Sequence, residues 1–186
     1  KDPYFAYGLA GILNARDYKI RGVVNGIDVD VFNPATDKNL VANYTLKTVA
    51  KRAENKKALC ELMGFNYSPD RPLMVLISRL TEQKGIDLVA TVLDEMLQAD
   101  IQLVVLGKGD WKYETILKNA EKTYNTKMRA IINFSQELAS KLYGAADMFL
   151  MPSKFEPCGL GQMIAMRYGA VPIVRETGGL KDTVEA

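Results

Sequence analysis

From residue 73 onward the chain alternates between short unbroken apolar runs and longer stretches in which apolar residues recur every three or four positions. Leu73-Met74-Val75-Leu76-Ile77 reads as a strand buried on both faces, the pattern of a parallel sheet with helices on either side. The pattern then predicts a helix over 85–98, a strand from Ile101 to Leu106 and a helix over 111–124. A strand over 128–133, a helix over 135–145 and a strand over 147–151 follow. A helix over 160–168, the strand Val171-Pro172-Ile173-Val174 and a helix opening at about Gly179 complete the series. Strand and helix alternate about five times, which predicts an α/β fold built on a doubly wound parallel sheet.

The first seventy residues are less regular. Residues 3–15 read as a helix, or a helix with a turn, and Arg21 to Val24 as a short strand. Asn25-Gly26-Ile27-Asp28 is a turn signal in which Gly26 would supply a positive φ cheaply. Residues 28–44 look like a long surface excursion. The charge-rich stretch 45–63, with Val49, Ala53, Lys57, Leu59 and Leu62, reads as a half-exposed helix ended at Gly64. This divides the chain into an interdomain segment, 1–24, and a domain, 25–186. Lys1 is not an initiator Met, and the chain stops at Ala186 inside what reads as a helix. A fragment truncated at its C-terminal end is therefore expected.

Composition removes several function classes. The 186 residues are 48% hydrophobic, enough for a sizeable core without disulfides or metals. A net charge of +2, with basic and acidic residues interleaved, argues against nucleic acid or a membrane surface as partner. No apolar run approaches a membrane span, and the opening residues do not read as a signal peptide. Cys60 and Cys158 lack metal-type spacing and suit free thiols in a reducing, cytoplasmic location. The chain contains no histidine. Ser-His-Asp, Cys-His and His-zinc sites are thereby excluded, so either chemistry falls to carboxylates, Arg, Lys and backbone amides, or the partner half of the site is missing.

In a doubly wound sheet, ligands bind beyond the carboxyl ends of the strands, and the unusual residues fall there. After the first buried strand, Arg79 and Lys84 flank a short loop ending at Gly85. They read either as solvated cations or as a clamp on an anion such as pyrophosphate. Leu106-Gly107-Lys108-Gly109-Asp110 begins like a dinucleotide fingerprint, but Lys112 stands where the third glycine belongs, and a tight strand-to-helix turn is the plainer reading. Gly107 remains a donor-binding candidate. The loop after 147–151 is richest: Glu156 precedes Pro157-Cys158-Gly159-Leu160-Gly161. A carboxylate accepts hydrogen bonds from adjacent sugar hydroxyls, and backbone N–H groups from Cys158 to Gly161 suit a phosphate. Cys158 reads as a small packing residue rather than a nucleophile. Thr177-Gly178-Gly179 repeats the glycine-rich device after the last strand. Phe134 reads as core or as a stacking platform, and the local pattern favours core.

These segments resemble the glycogen and starch synthase family of GT-B glycosyltransferases. The likeness runs through Tyr4-Phe5-Ala6-Tyr7-Gly8, Val24-Asn25-Gly26-Ile27-Asp28, Asn33-Pro34-Ala35-Thr36-Asp37 and Ala53-Glu54-Asn55-Lys56-Lys57. It continues through Ser78-Arg79-Leu80, Gln83-Lys84-Gly85, Pro152 to Leu160, and Thr177-Gly178-Gly179-Leu180. The resemblance implies two Rossmann-like domains around a cleft, this chain being most of the C-terminal, donor-binding one. It implies catalytic roles for Arg79, Lys84 and Glu156: the two cations on the donor pyrophosphate, the carboxylate at the glucose. It implies that Phe134 stacks on adenine, that Cys158, Gly159, Leu160, Gly161, Thr177, Gly178 and Gly179 contact the donor, and that Asn25 reaches the cleft. Many relatives in the wider superfamily carry a second glutamate eight positions after the first. Ile164 stands there, and synthases of this class generally lack that second glutamate. The family's lysine-glycine-glycine-leucine motif and an active-site histidine, both in the N-terminal domain, are not in this sequence.

The implied reaction moves glucose from ADP-glucose to the non-reducing end of an α-1,4-glucan with retention. No cofactor or metal is expected. The implied partners are ADP-glucose or ADP, the α-1,4-glucan acceptor and an N-terminal GT-B domain. Two alternatives stay open: a retaining glycosyltransferase using a UDP-sugar, and a non-catalytic nucleotide- or glucan-binding module.

Overall fold

The structure, a computed structural model, describes residues 3–4 and 6–185; Lys1, Asp2, Phe5 and Ala186 lie outside the described residues. Five parallel strands form one sheet: β1 (Leu73–Ile77), β2 (Gln102–Leu106), β3 (Met128–Ile131), β4 (Met148–Met151) and β5 (Val171–Val174), in the order β3-β2-β1-β4-β5. The central strand aligns Val75 with Val104 of β2 on one side and with Phe149 of β4 on the other. The helices are α1 (Ala10–Ala15), α2 (Arg52–Met63), α3 (Ile86–Gln98), α4 (Trp111–Thr123), α5 (Gln136–Ala145), α6 (Gly161–Arg167) and α7 (Gly178–Thr183).

Alternation along the strands divides the core in two. Leu73 and Val75 face α2, α5 and α6, joining Leu59, Cys60, Leu142, Phe149, Ile164 and Tyr168 in one buried cluster. Met74 and Leu76 face the other way, onto Ile86, Val89, Leu93 and Leu97 of α3 and Tyr113 and Leu117 of α4. The continuous apolar run of β1 is thus what a strand covered on both faces requires. The chain winds from β1 to β3 along one side and then returns across the sheet to β4. The order therefore reverses between β1 and β4, and their outgoing loops separate at a switch point, where ligands of such sheets bind.

The N-terminal expectations need correction. Helix forms only over Ala10–Ala15, preceded by turns and followed by a 3-10 turn at Asp17–Lys19. Arg21 to Val24 form no strand; Val23 is 91% exposed, and a strand without a ladder partner has nothing to hold it. Gly26 does not adopt a positive φ. The turn comes later, where the Asp28 carboxylate accepts hydrogen bonds from the backbone N–H groups of Asp30 and Val31 at 3.0 and 3.1 Å. The stretch 45–63 is a 3-10 segment, Leu46–Lys51, broken at Thr48 and followed by α2.

The buried face of α2 also differs from the apolar pattern. Val49, Ala53, Lys57 and Leu62 are exposed, whereas Asn55, Lys56, Leu59, Cys60 and Met63 are buried. Two polar residues can go inside because each finds partners. Asn55 accepts from Val41 and Ala42 N–H and donates to the Ala42 carbonyl, pinning the 28–44 excursion. Lys56 donates to the Pro69 and Arg71 carbonyls and pairs with Asp147 at 2.7 Å. Gly64 does end α2, in the left-handed conformation (φ 67°, ψ 33°). At the other terminus α7 closes at Thr183, with Val184 extended, so the chain is not helical up to its last described residue.

Candidate functional site

Four loops leave the carboxyl ends of β1, β2, β4 and β5, and close backbone contacts join them. Leu80, fully buried, forms a parallel bridge with Gly109: its N–H donates to the Lys108 carbonyl, and its own carbonyl accepts from Asp110. A Cβ on Gly107 would sit 1.9 Å from the Ser78 carbonyl oxygen, and one on Gly109 2.3 Å from that of Leu80. The loop after β1 then makes a 3-10 turn, Glu82–Lys84, and enters α3 through Gly85 at φ 73°. A Cβ on Gly85 would lie 2.1 Å from the Pro152 carbonyl oxygen. Side chains strengthen the same junction: Lys154 pairs with Glu82 at 2.6 Å and with Asp87 at 3.1 Å, and its N–H donates to the Gln83 carbonyl.

At the centre of this junction Lys84 Nζ lies 2.5 Å from Glu156 Oε2, with the two side chains only 14% and 9% exposed. Ser153, fully buried, donates its hydroxyl to the same carboxylate oxygen at 3.2 Å. A buried ion pair this close is held by the loops on both sides of the switch point, one charge from each. Arg79, from the same loop as Lys84, is exposed and forms no ion pair among the described residues.

The loop after β4 continues into a concave stretch of backbone. Gly159 has φ 76° and Leu160 follows in the right-handed region (φ −109°, ψ −31°). Successive residues of opposite hand turn their N–H groups toward one point, an arrangement that receives anions. The N–H groups of Cys158, Gly159, Leu160 and Gly161 have no acceptor among the described residues. The loop after β5 closes over this stretch: Gly179 N–H donates to the Glu156 carbonyl at 2.8 Å. A Cβ on Gly178 would lie 2.3 Å from the Glu156 carbonyl oxygen, and one on Gly179 2.2 Å from Cys158 Cα. Those two glycines thus join loop to loop, and Thr177 caps α7 without a side-chain hydrogen bond.

A family comparison decides what kind of fold carries this junction: residues 64–186 match the model for Glycosyl transferases group 1. The chain belongs to that family. Within it, this glycosyltransferase domain is similar to glycogen and starch synthases. It is 53% identical over 184 residues to the glycogen synthase of Clostridium acetobutylicum, covering 99% of this chain and 39% of that protein. With the glycogen synthase of Anoxybacillus flavithermus it shares 48% identity over 184 residues, 99% of this chain and 38% of the relative. Among solved structures, the catalytic domain of starch synthase IV from Arabidopsis thaliana, bound to ADP and acarbose, superposes with a TM-score of 0.93 at 38% identity. That match covers 100% of this chain and 38% of the other. The chain therefore spans about two-fifths of the length of the relatives it matches.

Of the residues singled out in the sequence, the domain brings Lys84, Glu156, Gly178 and Gly179 into one junction, with Cys158 to Gly161 beside it. Asn25 reaches this region through its backbone carbonyl, 3.7 Å from Cys158 Sγ. Gly107 is buried against the Ser78 carbonyl, where the absence of a Cβ lets the loops after β1 and β2 meet. Phe134 is 76% exposed on the loop between β3 and α5, which removes the core reading. Sequence reasoning missed Ser153 and Gln162, both fully buried polar residues. A polar residue immediately before or after a glycine-rich strand-end loop was the available signal. Among the described residues no group of three or more Cys, Asp or Glu is arranged to hold a metal ion, and no helix is long and apolar enough to cross a membrane.

Proposed function

We propose that this chain is the donor-binding half of a retaining glucosyltransferase of the glycogen synthase type. It would take glucose from ADP-glucose and pass it to the non-reducing 4-OH of an α-1,4-glucan. The observation that carries the reading is the Lys84–Glu156 contact at the switch point of the sheet, 2.5 Å long and largely buried. The reaction breaks the bond between the anomeric carbon and the phosphate oxygen, whose electron pair leaves with ADP. A new bond forms from the anomeric carbon to the acceptor oxygen, which gives up its proton. Negative charge grows on the leaving phosphate, and positive character grows at the sugar.

The residues match those demands. The ammonium of Lys84 has three N–H donors, so it can hold Glu156 and still face a phosphate oxygen. Arg79, exposed on the same loop, adds a second cation, and the Cys158–Gly161 amides add oriented donors. Glu156 keeps one carboxylate oxygen for sugar hydroxyls while the other is held by Lys84 and Ser153. The exposed ring of Phe134 offers a face to the adenine. In this reading no metal ion is required, because Arg79 and Lys84 supply the charge. The acceptor glucan and the remaining catalytic groups belong to an N-terminal GT-B domain. The two thiols, Cys60 and Cys158, are free and suit a cytoplasmic setting.

The test replaces the matching segment of the Clostridium acetobutylicum glycogen synthase with this chain and measures transfer to an α-1,4-glucan. ADP-glucose should be the preferred donor, with activity unchanged by EDTA. Preference for UDP-glucose would move the reading to a UDP-sugar enzyme. ADP binding without transfer from either donor would make it a binding module. Activity lost to EDTA and restored by Mg²⁺ would contradict the metal-free reading.

A further inference from the structure

Behind the Cys158–Gly161 amides lies a side chain whose position none of the proposed roles explains. Gln162 is fully buried at the start of α6. Its Nε2, which carries two N–H groups, lies within hydrogen-bond distance of three acceptors: the Cys158 carbonyl at 3.0 Å, the Gly159 carbonyl at 3.0 Å and Thr183 Oγ1 at 2.9 Å. Thr183 in turn donates its hydroxyl to the Gly179 carbonyl at 2.6 Å. One amide group therefore ties the loop after β4 to the helix that follows β5. Its Oε1 is buried without a hydrogen-bond partner among the described residues. A Cβ on Gly159 would lie 2.6 Å from that oxygen, so the glycine leaves the space that the Gln162 amide occupies. Leaving a buried carbonyl oxygen unpaired is destabilising, and the geometry retains it.

Peptide geometry turns this into a consequence for the site. A trans peptide is planar, with the C=O of one residue and the N–H of the next pointing in opposite directions. Drawing the Cys158 and Gly159 carbonyls inward onto Gln162 turns the N–H groups of Gly159 and Leu160 away from the interior. These are two of the four amides that have no acceptor among the described residues. We infer that Gln162 is a positioning residue that sets the aim of the donor's phosphate-binding amides from behind, with Thr183 tying it to α7. The inference rests on the donor-binding reading above. It assigns Gln162 no contact with substrate: it acts through the two peptide units it holds.

The experiment uses the chain as it stands, with ADP and adenosine as probes in calorimetric titrations. The unsubstituted chain should bind ADP more tightly than adenosine. Gln162→Met, close in length but without hydrogen bonds, should lower the ADP-to-adenosine affinity ratio at least tenfold. Thr183→Val should lower it about threefold. A merely structural role would weaken both ligands together and leave the ratio unmoved, and that result would overturn the inference. Hydrogen exchange gives a readout that needs no ligand and no variant. The Gln162 side-chain amide protons should exchange far more slowly than those of an exposed glutamine, and free exchange would overturn the inference. An unsubstituted chain that binds ADP no better than adenosine would instead overturn the donor-binding reading itself.

Discussion

Lys84 and Arg79 come from one loop and share one proposed task, yet their surroundings differ, and that difference can be measured. Lys84 neutralises a carboxylate that is 9% exposed, whereas Arg79 stands in solvent without an ion-pair partner among the described residues. Lys84→Ala leaves Glu156 buried with only the Ser153 hydroxyl, and breaking such a pair costs about 3–5 kcal/mol. Arg79→Ala removes an exposed charge and should change stability by no more than about 0.5 kcal/mol. Urea denaturation of the two variants should show this split, and equal destabilisation would mean the Lys84–Glu156 pair is not buried as described. In an active enzyme containing this chain, both substitutions should lower kcat by roughly 10²–10³-fold, as loss of a preorganised donor does. Near-normal turnover of either variant would remove that residue from the clamp. The sequence made Arg79, Lys84 and Glu156 visible because charged residues in a glycine-rich strand-end loop are conspicuous. It gave no sign that two of them pair with each other, since 72 residues separate them and only the parallel order of β1 and β4 brings them together.

At the scale of elements, glycine does two different jobs, and substitution should separate them. Gly64 ends α2 at φ 67°, and a Cβ there would meet only the far end of the Arg129 side chain, at 3.2 Å. Gly64→Ala therefore carries mainly the left-handed backbone cost, about 1–2 kcal/mol. Gly85 has a similar φ of 73°, but its Cβ would lie 2.1 Å from the Pro152 carbonyl oxygen, which cannot move without shifting the β4 loop. Gly85→Ala should cost clearly more than Gly64→Ala in thermal or urea unfolding, and should disturb the Lys84–Glu156 contact as well. Equal costs would mean that the loops are not joined at this point. Helix and strand identities from residue 73 onward were legible because buried strands and amphipathic helices carry different periods, with ends shifted by one or two residues. Arg21–Val24 was misread because local β-propensity cannot report whether a neighbouring strand exists. The face of α2 was misread because Asn55 and Lys56 are buried by hydrogen bonds, which hydrophobic periodicity does not register.

For the whole molecule, the proposal places a nucleoside diphosphate at the switch point of this sheet, held through its pyrophosphate. A doubly wound parallel sheet was expected from the alternation of elements, and the reversal of strand order between β1 and β4 places Lys84 and Glu156 at the crevice. The remainder of the active site is not expected from this chain, so it should bind donor without transferring glucose by itself. Detectable transfer to a glucan by the isolated chain would contradict that division of labour. The most direct measurement is a calorimetric titration of the chain with ADP, AMP and UDP under identical salt and pH. ADP should bind at least about tenfold more tightly than AMP, a difference of about 1.4 kcal/mol, and more tightly than UDP. AMP binding as well as ADP would contradict the pyrophosphate clamp at its foundation.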